Sequence, residues 1–403
     1  MNAHRDSLRI RPKSGQWLAS GALLMLLLAA CNGPGGAAQN GPAATLPPPF
    51  ISDEPRQLII GQDLGAIRGY MSAECCPTPD GLTAYVDFFD ILTPNDFGGL
   101  GLDAAGNATD LEFAWGAGPG SVYKTATEFG VDGLAIGLSI TENEHPGKLD
   151  GLVAGEFDAE IEQLAKLFSM IPGPVYLRIG YEFDGAWNHG YENSDRYTRA
   201  FQRIVDLVRA KGSDNVQFVW QGAAAVVDEI IDGGHEDIRQ WYPGDDYVDW
   251  MGLSWFMNPN ETIQVASPAY VPPTPLEMSN EILEYARERG KPVMIAEASP
   301  QAMDLKNRFI ADHAGIWDGA PAGNRINMTD EEIWDHWFGP LFQLMNDNDD
   351  VIRALAYINV NWDAQAMWGP PYESGFWGDT RLEVNGEIAA RFTSAIEAWR
   401  AKN

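Results

Sequence analysis

Two strand-like runs end in carboxylates, and these are the residues in the chain best placed to do chemistry. In Pro174 to Asn188, read PVYLRIGYEFDGAWN, the β-branched, aromatic and apolar run Val175 to Ile179 contains one charge, Arg178. Pro172, Gly173 and Pro174 punctuate its start, the signature of a short buried strand. Its end flips in character to Glu182, Asp184, Gly185, Trp187 and Asn188. A second apolar run, Val293 to Ala296, ends the same way in Glu297. One carboxylate at a strand end is ordinarily a solvated strand end. Two of them facing each other across a cleft, one protonated and one ionised, are the equipment for breaking glycosidic bonds.

The elements that must position this pair alternate along the chain from residue 51 onward. Strand-like stretches run over Leu58 to Leu64, Ala84 to Ile91, Gly133 to Ile140 and the Val175 run. Four more follow over Val216 to Gln221, Val248 to Phe256, Pro292 to Ala298 and Ile352 to Trp362. Helical apolar faces lie between the later ones. Phe157, Ile161, Leu164 and Phe168 form one, and Tyr197, Phe201, Ile204 and Val208 another behind Ser194 as cap. Ser279 to Arg289 reads as a third helix, stopped by Gly290 and Pro292. Eight strands with intervening helices predict an α/β fold, a single-domain (β/α)8 TIM barrel with long loops on its C-terminal face. The rival, a doubly wound sheet, wants a phosphate-binding glycine motif after its first strand, and Gly61-Gln62-Asp63-Leu64-Gly65 is not one. In a barrel the strand C-termini converge, which brings Glu182 and Glu297 to one mouth.

Composition narrows the partners. The 403 residues are 45% hydrophobic and 21% charged, ordinary for a globular chain, but the net charge is −30. So acidic a surface repels nucleic acid and anionic polymers, and a neutral substrate fits it better. The six histidines are scattered without ligand spacing, and no CxxC pair or HExxH motif is present, so no metal is expected. Asp347 to Asp350 lacks the glycine turn and distal glutamate of a calcium loop and reads as a solvated helix end.

The strand-end motifs resemble those of retaining glycoside hydrolases of the large barrel clan, and within it glycoside hydrolase family 26, which includes β-mannanases and mixed-linkage β-glucanases. Arg178, Glu182, Gly185 and Trp187 look like that family's fourth strand, and Phe218-Val219-Trp220 like its fifth. Tyr247 to Gly252 looks like its sixth, and Ile295-Ala296-Glu297 like the strand that carries the nucleophile. The resemblance spans about residues 57–400 and implies Glu182 as acid/base and Glu297 as nucleophile, with no cofactor. Two positions depart from the pattern. Tyr181 stands where the family usually has histidine, and Phe256 where the clan usually has a tyrosine bonded to the nucleophile.

A sugar site also wants rings and polar groups. Trp187, Trp255, Trp362, Trp368 and Trp377 all fall at or just after strand C-termini, as stacking platforms for sugar faces, with Trp362 or Trp255 as the floor. Asp184, Asn188, Asn361 and Asp363 are placed to bind hydroxyls. Arg178 is expected to hold a carboxylate ionised, and Tyr181 to supply the donor to Glu297 that Phe256 lacks. The expected function is therefore a retaining β-glycoside hydrolase on a neutral polysaccharide. The alternatives on the same residues are a catalytically silent carbohydrate-binding lipoprotein and a transglycosylase that remodels exopolysaccharide.

The N-terminus reads as a targeting segment. Arg5, Arg9, Arg11 and Lys13 precede the apolar Trp17 to Leu28, and Leu28-Ala29-Ala30-Cys31 resembles a bacterial lipobox. This predicts residues 1–30 as a lipoprotein signal peptide, lipidation of Cys31, a Gly/Ala/Pro tether over 31–50 and a catalytic domain over 51–403. Asn32 after the cysteine points to the outer membrane, by resemblance to sorting signals. Cys75 and Cys76 are adjacent, with α-carbons about 3.8 Å apart, too close for an unstrained disulfide. Free thiols, a strained ring and pairing with a second molecule are all open to them.

Overall fold

Strands β1 (Gln57–Gly61), β2 (Gly81–Asp87), β3 (Gly133–Ser139) and β4 (Val175–Ile179) are followed by β5 (Val216–Gly222), β6 (Trp250–Trp255), β7 (Val293–Ala298) and β8 (Ile352–Ile358). They close into one parallel barrel in sequence order, with β8 pairing β1. The computed structural model describes residues 50–402, apart from 95, 115, 227–233, 258–270, 315–321 and 369–374. Cys31, the signal segment and nearly all of the tether lie outside the described residues. Phe50–Asn403 form one compact unit.

The strands fall where the apolar runs predict, and their ends differ for local reasons. β1 stops at Gly61 because the Asp63 side chain accepts from the N–H groups of Gly65 and Ala66, starting helix α1 (Leu64–Ser72) at a residue the sequence reading gave to the strand. β2 begins at Gly81 and stops at Asp87, whose carboxylate turns the chain into a 3-10 turn over Phe88–Asp90. β8 stops at Ile358 instead of running on to Trp362, which opens a short 3-10 turn.

Helix α2 (Asp158–Met170) buries Ile161, Leu164 and Phe168, and α3 (Ser194–Ala210) buries Tyr197, Phe201, Ile204 and Val208. The cap of α3 is Asn193, not Ser194, because the Asn193 side chain accepts from Arg196 N. Helix α4 (Pro275–Arg289) starts four residues before Ser279, behind a capping box made by Thr274 and Glu277. At the end of the Asp347–Asp350 run, Asp350 is tied to Arg287 at 2.6 Å. Cys75 and Cys76 are free thiols.

Period-two alternation sorts each strand into an outer set, packed under the helices, and an inner set. Leu58, Ile60, Ile136, Leu138, Leu177, Ile179, Phe218, Ile295 and Tyr357 belong to the large outer core, each at most 1% exposed. Ile59, Ala135, Tyr176, Val219, Trp250 and Met294 belong to the separate cluster that plugs the barrel. This parity decides which side chains reach the mouth: two residues beyond the plug come Gly137, Arg178 and Gln221, and Ser254 comes four beyond Trp250.

Candidate active site

Arg178 is fully buried, and its Nη1 donates to Glu297 Oε1 at 2.6 Å. Its guanidinium lies over the rings of Tyr85 at 5.1 Å and Tyr181 at 5.2 Å. Burial opposes the charge on Arg178, and Tyr85 and Glu297 outweigh it, so its pKa rises. Gly137 faces Arg178 in register on the neighbouring strand and leaves the space that this stack fills.

Glu297 reaches the mouth through a register irregularity. Leu253 pairs with Ile295, but the next pair is Ser254 with Glu297, and the β8 pairing shifts between Leu355 and Tyr357. The extra residue in β7 lets Ala296 stay in the barrel plug while Glu297 turns to Arg178. Strict alternation would send one of the two outward.

Glu182 sits just beyond β4 with φ 54, in the left-handed region. That conformation costs a non-glycine residue about 1–3 kcal/mol and persists where its surroundings enforce it. Here Gly185 N and Asn188 Nδ2 both donate to the Glu182 carbonyl, at 2.9 and 2.8 Å. The Glu182 carboxyl accepts from Ser254 Oγ at 2.7 Å and from Trp187 Nε1 at 3.0 Å. Burial, then the negative charge of Glu297, push it up to about 8 against those two donors. The mouth thus holds one carboxylate paired with a buried arginine and one carboxyl that keeps its proton at neutral pH.

The sequence profile of glycosyl hydrolase family 26 matches residues 138–291, the stretch that carries β4 to β6 and Glu182. A β-1,3-xylanase of Alcaligenes sp. is 31% identical over 349 residues, covering 86% of this chain and 65% of that protein. Another, from Vibrio sp., is 32% identical over 348 residues, covering 86% of this chain and 66% of that protein. Over residues 138–291 the barrel is similar to glycosyl hydrolase family 26. The chain spans 65% and 66% of the length of these two curated relatives. Among solved structures, a family 26 β-mannanase from Bacteroides ovatus is 13% identical, with a TM-score of 0.49, covering 86% of this chain and 90% of that chain.

The remaining expected site residues of the barrel divide sharply. Trp255 is 2% exposed and packs in the outer core with Leu253 and Met251, because alternation turns it away from the mouth that Ser254 faces. It cannot floor a sugar site there. Trp362 is 3% exposed, its Nε1 donating to Ser299 and Thr380, and it packs with Trp368 and Trp377 at 5.9 and 5.0 Å. Phe256 meets Trp362 edge-on at 6.3 Å and so fills an aromatic contact where a tyrosine would offer a hydroxyl. Trp187 and Trp368 are part-exposed, and the Trp368 ring packs on Trp377 at 4.4 Å.

Several polar candidates hold the loop itself. Asn188 Nδ2 donates to the carbonyls of Glu182 and Tyr181, and Asp184 Oδ1 accepts from Ala223 N. The Asp363 carboxylate accepts from Trp377 N, and Asn361 forms a backbone bridge with Asp379. Tyr181 stacks on Arg178, and among the described residues the hydrogen-bond donor to Glu297 is Arg178 alone, so the expected hydroxyl from Tyr181 is not made. Its place beside Arg178 is filled by ring packing.

Ser254 and Gln221 are the site residues that sequence reasoning missed. Their signal was parity, since both lie an even number of residues beyond a plug residue of their own strand. The fold also brings His145 Nε2 to 3.4 Å from Asp90 and 3.6 Å from Asp87, a clustering invisible in the spacing. One ligand atom from each lies within 4.8 Å of the others, an arrangement that would suit a divalent ion. Burial pushes Asp87 up to about 6, with His145 opposing.

Proposed function

We propose that the protein is a retaining β-glycoside hydrolase acting on a neutral polysaccharide, with Glu182 as acid/base and Glu297 as nucleophile. The observation that carries this is the contrast within one mouth between Glu297 on buried Arg178 and Glu182 pushed up to about 8. In the first step Glu297 attacks the anomeric carbon, the bond to the leaving oxygen breaks, and Glu182 gives that oxygen its proton. In the second, Glu182 takes a proton from water, the water oxygen bonds the same carbon, and the Glu297 carboxylate departs. Two inversions give retention, which calls for carboxyl groups about 5–5.5 Å apart. Arg178 holds Glu297 in place for attack through a charge-assisted hydrogen bond and steadies it as it leaves.

Both curated relatives are named β-1,3-xylanases, which puts β-1,3-xylan beside mannan and mixed-linkage β-glucan as the polymer to test first. The leader supports export and attachment to the outer membrane through lipid on Cys31. Among the described residues no helix is long and apolar enough to cross a membrane.

Release of reducing sugar from those three polymers, with the product anomer followed by NMR, tests the reading. Glu182→Ala and Glu297→Ala should each lose at least about 10²-fold in kcat, and azide should rescue Glu297→Ala with the opposite anomer. A folded, polysaccharide-binding protein that releases nothing from any of them would overturn hydrolysis in favour of a silent binding protein.

A further inference from the structure

Five side chains from four strands and the loop after β4 make one continuous hydrogen-bonded chain across the mouth. Arg178 Nη1 donates to Glu297 Oε1 at 2.6 Å and to Gln221 Oε1 at 2.8 Å. Gln221 Nε2 donates to Ser254 Oγ at 3.1 Å, and Ser254 Oγ donates to Glu182 Oε1 at 2.7 Å. The chain therefore links the two carboxyls to which the proposed function assigns opposite roles.

Its direction is fixed from one end. A guanidinium has donors and no acceptor, so Gln221 must present its amide oxygen to Arg178. The amide nitrogen then faces Ser254 and occupies an acceptor position on its hydroxyl, leaving the serine hydrogen for Glu182. Gln221 is 0% exposed and Ser254 3%, so solvent offers neither an alternative partner. Turning the Gln221 amide round would set its N–H groups against the Arg178 donors, and a proton on Glu182 Oε1 donated to Ser254 would leave the serine hydrogen without its acceptor.

We propose that Gln221 and Ser254 are positioning residues that transmit the orientation set by Arg178 to Glu182, so that Glu182 carries its proton on Oε2 and not on Oε1. Oε1 is taken by the Ser254 hydrogen. Oε2 accepts from Trp187 Nε1 at 3.0 Å and, as a hydroxyl, keeps its own hydrogen to aim at the leaving oxygen. The links themselves transfer no proton; the proton that moves is Glu182's own, to the leaving oxygen and later back from water. This rests on the proposed function, because only a general acid at 182 gives that orientation a use.

The charged and titratable groups facing Glu182 are Glu297 on β7, Asp184 in its own loop, and Tyr181, with Arg178 and Tyr85 behind them. Glu297 and Asp184 favour the protonated carboxyl, whereas Ser254 and Trp187 favour the anion.

Carbon-13 NMR titration of the expressed full chain, labelled at glutamate carboxyls, reads this directly, with Glu182 assigned by its absence in Glu182→Gln. Ser254→Ala should raise the Glu182 midpoint by about one pH unit, the loss of one hydrogen bond to a charged group. Ser254→Thr keeps the hydroxyl and should titrate like the parent. Gln221→Ala should raise the midpoint less, and in the Ser254→Ala background it should add nothing, because its influence passes through the serine. An unchanged midpoint in Ser254→Ala, or a Gln221 effect that persists without the serine, overturns the proposal. If Gln221→Ala does not fold, the two Ser254 variants still decide. The titration needs no turnover, so a protein that hydrolyses nothing defeats the functional reading and leaves this measurement readable.

Discussion

Gly137 and Arg178 face each other in register on neighbouring strands, and a methyl group at 137 would lie 2.9 Å from Arg178 Nη2 and 2.6 Å from Tyr85 Cδ1. The hydrogen of this glycine is what lets the guanidinium slide under the Tyr85 ring and reach Glu297. Arg178 is fully buried and cannot step aside into solvent, and Tyr85 is part-buried against it. Gly137→Ala is therefore expected to cost about 1–3 kcal/mol in stability and about 10²-fold in kcat/KM through displacement of Arg178. Thermal unfolding and kinetics on one preparation check this. Full activity in the variant would show that the gap does not position Arg178.

Glu182 also makes stability depend on pH. Its carboxyl is raised from 4.5 to about 8 by burial and by Glu297. Between those values the folded protein binds a proton that the unfolded chain does not. Folding therefore carries no penalty from this group below about 4.5, a growing one as pH rises, and the full one above about 8. Glu182→Gln is neutral throughout. Its amide nitrogen opposes the Trp187 N–H, an offset that does not vary with pH, so the slope is what matters. The melting temperature of Glu182→Gln minus that of the parent should climb from pH 4.5 to pH 8; a flat difference would mean that Glu182 is not raised.

Lipidation at Cys31 predicts where the protein goes. Cys31→Ser removes the thiol that would carry the lipid, so the variant should leave the membrane fraction with its polysaccharide hydrolysis intact. Unchanged partition of Cys31→Ser into membranes would count against the lipobox.

The barrel was legible because its strands are apolar runs bounded by glycine and proline, and because Glu182 and Glu297 break those runs at matching ends. What stayed hidden depended on facing. Trp255 looks like a platform when it is only counted as an aromatic at a strand end, yet its neighbour Ser254 faces inward and so it must face outward. Glu297 is the reverse case: alternation from Met294 sends it outward, and the irregular pairing at Ala296 brings it in. Asn188 and Asp184 read as hydroxyl binders because their chemistry allows it. The strained turn at Glu182 uses Asn188 for its own backbone and Asp184 to hold Ala223 N beyond β5, demands that appear only once the turn and its φ of 54 are known.

Trp187 has two separable uses, and its neighbour Gly185 gives a way to test them apart. The indole Nε1 donates to Glu182 Oε2 at 3.0 Å, and the side chain is part-exposed beside it, where a sugar could meet the ring. A methyl group on Gly185 would come within 2.5 Å of the ring atom Cε2 and 3.0 Å of Nε1, so the indole must move. Trp187→Phe keeps an aromatic face and removes the N–H. That donor favours the Glu182 anion, so its loss should raise the alkaline limb of kcat/KM by about one pH unit with KM little changed. Trp187→Ala loses the ring as well and should raise KM in addition. Gly185→Ala should follow Trp187→Phe on the pH axis, because it displaces the donor without removing the ring. If Trp187→Phe leaves the alkaline limb where it was, the Trp187 hydrogen bond does not tune the acid. If Trp187→Ala then matches Trp187→Phe in KM, the ring takes no part in binding the sugar.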